Sequence, residues 1–333
     1  MLTKLSKIEL DWNDATRAML CMLPMAIAYF TGQHSLVVPF GQGGFFYSMM
    51  PLSDKRVGRV VSLFLLLSLG MGIYLLGGNI VHNFWISIFL TYMVAIAVGF
   101  LSGYRIVTPL AFTFITLYSA GLNASTSEKA HENLLAFIVI FLWCGLVSLP
   151  SFWKGINMAN VKVLDTEENF VTGVRLGIGT MFALLVANLF AFAKYGWPVS
   201  AVGSIVRFNE EESKKRAKSR VIGTIGGSLL AMATFLVVST GGALIMVGYL
   251  FGIMQALFSR TMIGKTVFFY TATIIVLYSL NDISVGPEIA VQRTVYNLAG
   301  IVIGVFVAFY PIPWISARIE SLVRNFYRSG ADQ

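Results

Sequence analysis

Charge is scarce in this chain. Of 333 residues, 12% are charged and 56% are hydrophobic, against about 25% and about 45–50% in an ordinary globular domain. A water-soluble surface cannot be built from that remainder. This excludes a soluble enzyme, a secreted disulfide scaffold and a disordered chain. Cysteine is scarcer still. Cys21 and Cys144 are the two present, both inside apolar runs, which leaves no disulfide framework and no CxxC metal site. The 16 acidic residues map to loops or to the ends of apolar runs. The buried carboxylate of a simple proton-coupled pump is therefore missing. The three histidines, His34, His82 and His131, map near the outer surface. There is no GxSxG, HExxH, Walker A or pair of catalytic carboxylates. Gly223-Thr-Ile-Gly-Gly227 lacks the phosphate-binding lysine and lies within an apolar run. No enzyme activity, cofactor or metal is expected.

What the chain does have is long apolar runs, too continuous for the alternating strands of a β-barrel. The expected fold is an all-α polytopic membrane protein of about twelve transmembrane helices. The first six crossings are read at 17–33, 36–51, 60–78, 84–103, 106–122 and 133–152. The second six are read at 173–193, 196–208, 221–240, 242–258, 262–280 and 292–312. With the N-terminus in the cytoplasm, 21 of the 24 Lys and Arg residues fall inside; Lys129, Lys194 and Arg293 fall outside. If the second and eighth segments dipped in and returned, the bias would drop to 16 against 8, so twelve full crossings fit the positive-inside rule better. The net charge of +8 then reflects cytoplasmic loops and lipid contact rather than nucleic acid. Ala26-Ile-Ala28 mimics a signal-peptide cleavage site, but Glu9, Asp11 and Asp14 precede the run, and eleven more spans follow it. The stretch from Ile315 through Phe326, with Arg318, Arg324 and Arg328, has the spacing of an amphipathic helix lying on the inner leaflet.

The chain also resembles itself. Arg17 leads one half and Arg175 the other; proline follows at Pro39 and Pro198, and a second arginine at Arg59 and Arg220. Each half contains an even number of crossings, so the halves are expected to be parallel repeats, with a substrate path between them. The organisation expected is a first repeat at 1–155, a connector at 156–172, a second repeat at 173–313 and a cytoplasmic tail at 314–333. In matching positions, His34–Gly44 and Tyr195–Ser204 carry proline and several glycines. Such short, broken segments point to a transporter site, although small residues also let helices pack closely.

At Arg175-Leu-Gly-Ile-Gly179, Tyr195-Gly-Trp-Pro-Val-Ser200 and Arg216-Ala-Lys-Ser-Arg220-Val-Ile-Gly-Thr-Ile-Gly-Gly227 the chain resembles the fusaric-acid-resistance-like (FUSC) family. The resemblance implies an inner-membrane transporter of the aromatic acid exporter kind, and more distant kinship with plant malate-type anion channels. Larger members carry sizeable cytoplasmic domains after each half; the connector and tail here are too short for those.

Guanidinium groups offer forked donors that match carboxylates. Arg17, Arg175 and Arg207 are the candidate substrate charges, with Pro39, Gln42, Tyr47, Trp197, Pro198 and Ser204 shaping the cavity. Snorkelling at helix ends is the competing use of the arginines. Lys214, Lys215, Arg216 and Lys218, beside Glu210, Glu211 and Glu212, read as a solvated loop. The function expected is export of small organic anions, aromatic carboxylates among them, across the inner membrane with both termini cytoplasmic. A passive anion channel is the first alternative and a non-transporting membrane scaffold the second; the oligomeric state stays open.

Overall fold

The computed structural model describes residues 10–80, 83–124, 126–161, 163–258, 263–280 and 282–309, with backbone alone at 167 and 263–266. The described residues form twelve helical rods. They are α1 (Trp12–Phe30), α2 (His34–Ser48), α3 (Arg56–Ile80), α4 (Phe84–Leu101), α5 (Thr108–Leu122) and α6 (Ser127–Ser148). They continue as α7 (Thr166–Leu189), α8 (Gly196–Ile205), α9 (Glu210–Val237), α10 (Gly241–Leu257), α11 (Ile263–Tyr278) and α12 (Gly286–Phe309). Helix α3 runs continuously through a π-helical turn at Leu66–Gly70. The amphipathic tail at 314–333 and His82 lie outside the described residues.

Among the described residues, six helices are long and apolar enough to cross a membrane: α3, α4, α6, α7 from Glu168, α9 and α12. Three shorter apolar helices, Thr108–Leu122, Gly241–Leu257 and Val267–Tyr278, accompany them. Large apolar side chains such as Trp85, Phe64, Leu236 and Phe306 lie exposed around the bundle, which suits lipid rather than water.

Several helices begin earlier than hydropathy suggests, and three of these shifts bear on the site. The N-terminus of α7 is fixed at Asp165, which accepts from the Glu168 backbone at 2.7 Å while the Glu168 side chain accepts from the Asp165 backbone. That reciprocal capping turns residues 166–172 from connector into helix. Asn209 likewise caps α9 through Glu212 N. The stretch read as a solvated loop is therefore the first turns of α9, with Glu210, Glu211 and Glu212 at its positive dipole end. Helix α12 starts at Gly286, which moves Arg293 from the outer surface into the bundle, 1% exposed.

One end of the bundle holds the start of α1. There Asp11 N donates to Leu257 O, Lys154 N to Asn13 Oδ1, and Ile156 N to Leu52 O. At the opposite end Gly196 N donates to Asn123 Oδ1, and Ala193 N to the Tyr296 hydroxyl. Small residues set the packing between the ends. The buried face of α9 runs Ser213, Ala217, Arg220, Gly223, Thr224, Gly227, Ser228, Ala231. It lets α11 approach until a Cβ on Gly227 would strike Phe268 O. Gly196 approaches the Ser119 carbonyl just as closely, and Gly99 packs on Gly173.

Candidate functional site

The site follows from the length of α8. Ten residues at about 1.5 Å each reach roughly half-way through a hydrocarbon core of about 30 Å. The chain then turns extended at Val206 and restarts at α9. Beside this break lies a cavity of about 920 Å³. Gly203, Ser204, Val206 and Arg207 line it together with Ser102, Thr108, Asn169, Arg220 and Tyr270; Arg220 stands ten residues, about 15 Å, along α9 from its start at Glu210.

A helix that stops inside the bundle exposes carbonyls with no partner of their own. Arg207 Nη1 answers two of them, donating to Gly203 O at 3.1 Å and to Val206 O at 2.5 Å. Arg207 N donates to Ser213 Oγ at 3.1 Å, tying the turn to α9. The same arrangement recurs at α2, where Arg17 Nη2 donates to Ser48 O at 2.7 Å and to Met50 O at 3.1 Å. Arg59 closes α6: its three nitrogens donate to Ser53 O, Ser148 O, Pro150 O and Trp153 O, at 2.6–2.9 Å.

Arg220 is different. It is 4% exposed, yet its Nε and Nη2 have no hydrogen-bond partner. Its guanidinium carbon lies 5.1 Å from the centre of the Tyr270 ring, within cation–π range. Three arginines, Arg207, Arg216 and Arg220, line the cavity against two glutamates, Glu168 and Glu212. Both glutamates are engaged. Glu168 serves the α7 cap; Glu212 takes Arg216 at 2.8 Å and lies 3.9 Å from Arg207. The field inside favours an anion.

The residues expected from the sequence divide. Ser204 and Arg207 line the cavity. Trp197 lies beneath Arg293 at 4.8 Å and Gln42 beside Tyr278; neither lines the cavity. Pro198 is buried in the first turn of α8, where a missing N–H costs nothing, and its carbonyl packs against Gly300. Pro39 is buried inside α2. Arg17 and Tyr47 sit apart from the cavity near Cys21 and Cys144, and Arg17 keeps Nε and Nη1 unpartnered. Arg175, the tenth residue of α7, does not line the cavity. Sequence reasoning passed over Arg220, Arg293 and Tyr270 as site residues. The signal available was Arg293 itself, a lone charge at the head of a long charge-free stretch, which in a membrane helix marks function by default.

Helices of spanning length, an apolar perimeter and an arginine-lined cavity at a half-length helix are the build of an integral membrane protein. Residues 152–307 match the family model described as fusaric acid resistance protein-like, so the FUSC resemblance holds across that stretch. Members of that family are membrane transporters. No curated protein and no solved structure matches the chain.

Proposed function

We propose an inner-membrane transporter that exports small organic anions, aromatic carboxylates among them, with both termini cytoplasmic. The cavity carries this reading. Its volume of about 920 Å³ suits a small-molecule site, typically about 300–1,000 Å³. Its lining offers apolar walls at Ile115, Val206 and Phe208 for a ring, and Arg220, with an unpartnered edge, for a carboxylate.

The same proposal includes two parallel six-helix halves, α1–α6 and α7–α12, and the packing supports it pair by pair. Helix α1 packs on α10, and its counterpart α7 on α4. Helix α3 packs on α5 and α6, and α9 on α11 and α12. Helix α2 packs on α6 and α11, and α8 on α12 and α5. The cavity and the Tyr270–Phe45 contact both fall where the halves meet, as a path along a pseudo-twofold axis requires.

One observation favours a passive channel as a second reading. Among the described residues the carboxylates sit in loops or in the first two turns of helices, and none forms an ion pair with Arg220 or Arg293, so none of them stands as a proton relay beside those arginines. Flux of benzoate through purified protein in liposomes decides between them. Uphill movement that needs a pH gradient identifies an exporter; downhill, voltage-following current identifies a channel. No flux of any organic anion overturns both.

A further inference from the structure

The cavity ends at Arg220 and Tyr270, but the run of buried positive charge does not. The Arg293 guanidinium carbon lies 5.4 Å from the centre of the same Tyr270 ring and 4.8 Å from that of Trp197. Arg293 is not part of the cavity lining. Its Nε and Nη2 have no hydrogen-bond partner, and these are the two nitrogens left open on Arg220. Together they form the side edge of a guanidinium, the fork that holds one carboxylate by two parallel hydrogen bonds. Two arginines on one tyrosine therefore present the same unused edge. A buried charge without a counter-ion is costly, the more so at membrane depth. A carboxylate would supply both the missing charge and the missing acceptors.

We propose that Arg293, between Trp197 and Tyr270, is a second carboxylate station beyond the cavity, and that the Tyr270 ring is the partition between the two. The proposal rests on the transport reading above. Tyr270 stacks on Phe45 of α2, centroids 5.4 Å apart and planes at 28°, so the ring has a fixed seat at the junction of the two proposed halves. An anion passing from Arg220 displaces that ring and exchanges one guanidinium edge for the other. Its planar body then lies against Trp197. Two successive sites of moderate strength allow release as well as entry.

The test uses the full chain in lipid nanodiscs and radiolabelled benzoate. At saturation the wild-type protein binds two benzoates per chain. Arg293→Gln binds one, and its flux in liposomes falls about 10- to 100-fold, the worth of a charged hydrogen-bond pair. Should that variant not fold, Arg293→Lys keeps the charge but loses the fork, and the second benzoate binds about tenfold more weakly or more. One benzoate per wild-type chain overturns the second station, as does wild-type flux through Arg293→Gln. Both outcomes spare the transport reading. Two bound benzoates with no flux in the wild type do the reverse: the stations stand and transport falls.

Discussion

Arg59 and Arg220 occupy corresponding places in the two proposed halves, yet their substitution by methionine should have opposite effects. Arg59 makes four hydrogen bonds to the carbonyls of Ser53, Ser148, Pro150 and Trp153. Hydrogen bonds to a charged group are worth about 1.5–3 kcal/mol each. Even at about 1 kcal/mol apiece, Arg59→Met loses about 4 kcal/mol, a large share of the 5–15 kcal/mol typical of a folded domain. Arg220 has two nitrogens without partners. Removing it ends a cation–π contact of about 2 kcal/mol with Tyr270, and also relieves buried, unsatisfied N–H groups that cost about 1–3 kcal/mol each. Arg220→Met should therefore match or exceed wild-type stability while benzoate flux drops at least about tenfold, the loss expected when one charged hydrogen bond is removed. Thermal unfolding in detergent, followed by intrinsic fluorescence, gives the first quantity and liposome flux the second. If Arg220→Met unfolds as readily as Arg59→Met, the division between structural and functional arginines is wrong.

Other substitutions probe the frame around the site. Gly196→Ala places a methyl group against the Ser119 carbonyl, so α8 must move from α5 at a cost of about 1–3 kcal/mol; a lowered melting temperature reads it. Asp165→Ala removes the α7 cap, worth about 1 kcal/mol, and hydrogen exchange at Thr166–Asn169 should quicken while flux is unchanged. Arg17→Gln strands Ser48 O and Met50 O. It should lower stability and leave the KM for benzoate unaltered, since Arg17 is not among the residues lining the cavity.

The helical membrane class was legible because apolar runs and scarce charge have no other solution. The tyrosine–tryptophan–proline segment at 195–198 and the small residues of α9 also carried their meaning in sequence. Burial of individual charges did not. Arg293 follows Glu288 and precedes an apolar run, so hydropathy assigns it to the boundary. The helix begins seven residues earlier, at Gly286, and carries the arginine inward. Arg220 reads in sequence as the opening of its helix behind a basic loop, whereas the Asn209 cap starts that helix at Glu210 and carries Arg220 inward. Arg17 and Arg207 were recognisable as unusual, but which helix end each would close depends on where α2 and α8 stop. Glycine and proline content signals a break without locating it.

The two short helices, counterparts in the proposed repeat, differ where α8 borders the cavity. Aligned on Pro39 and Pro198, α2 and α8 share a glycine five residues on, Gly44 and Gly203. At the sixth position they diverge: Phe45 in α2, Ser204 in α8. Phe45 is fully buried and stacks on Tyr270; Ser204 faces open volume. Helix α2 thus carries a plug where α8 carries a hydroxyl. Ser204→Phe should close the path. The hydroxyl it removes makes only an intrahelical bond to Ala201 O, and a benzyl group fits easily in about 920 Å³, so melting temperature should hold within the spread of surface variants, about 0.5 kcal/mol. Benzoate flux should fall at least about tenfold, by displacement of the ligand rather than loss of the fold. Ser204→Ala, which removes the hydroxyl without filling space, separates chemistry from volume: it should transport normally. Normal flux through Ser204→Phe would show that the anion does not pass α8 at all, and the cavity would then lose its claim to be the route.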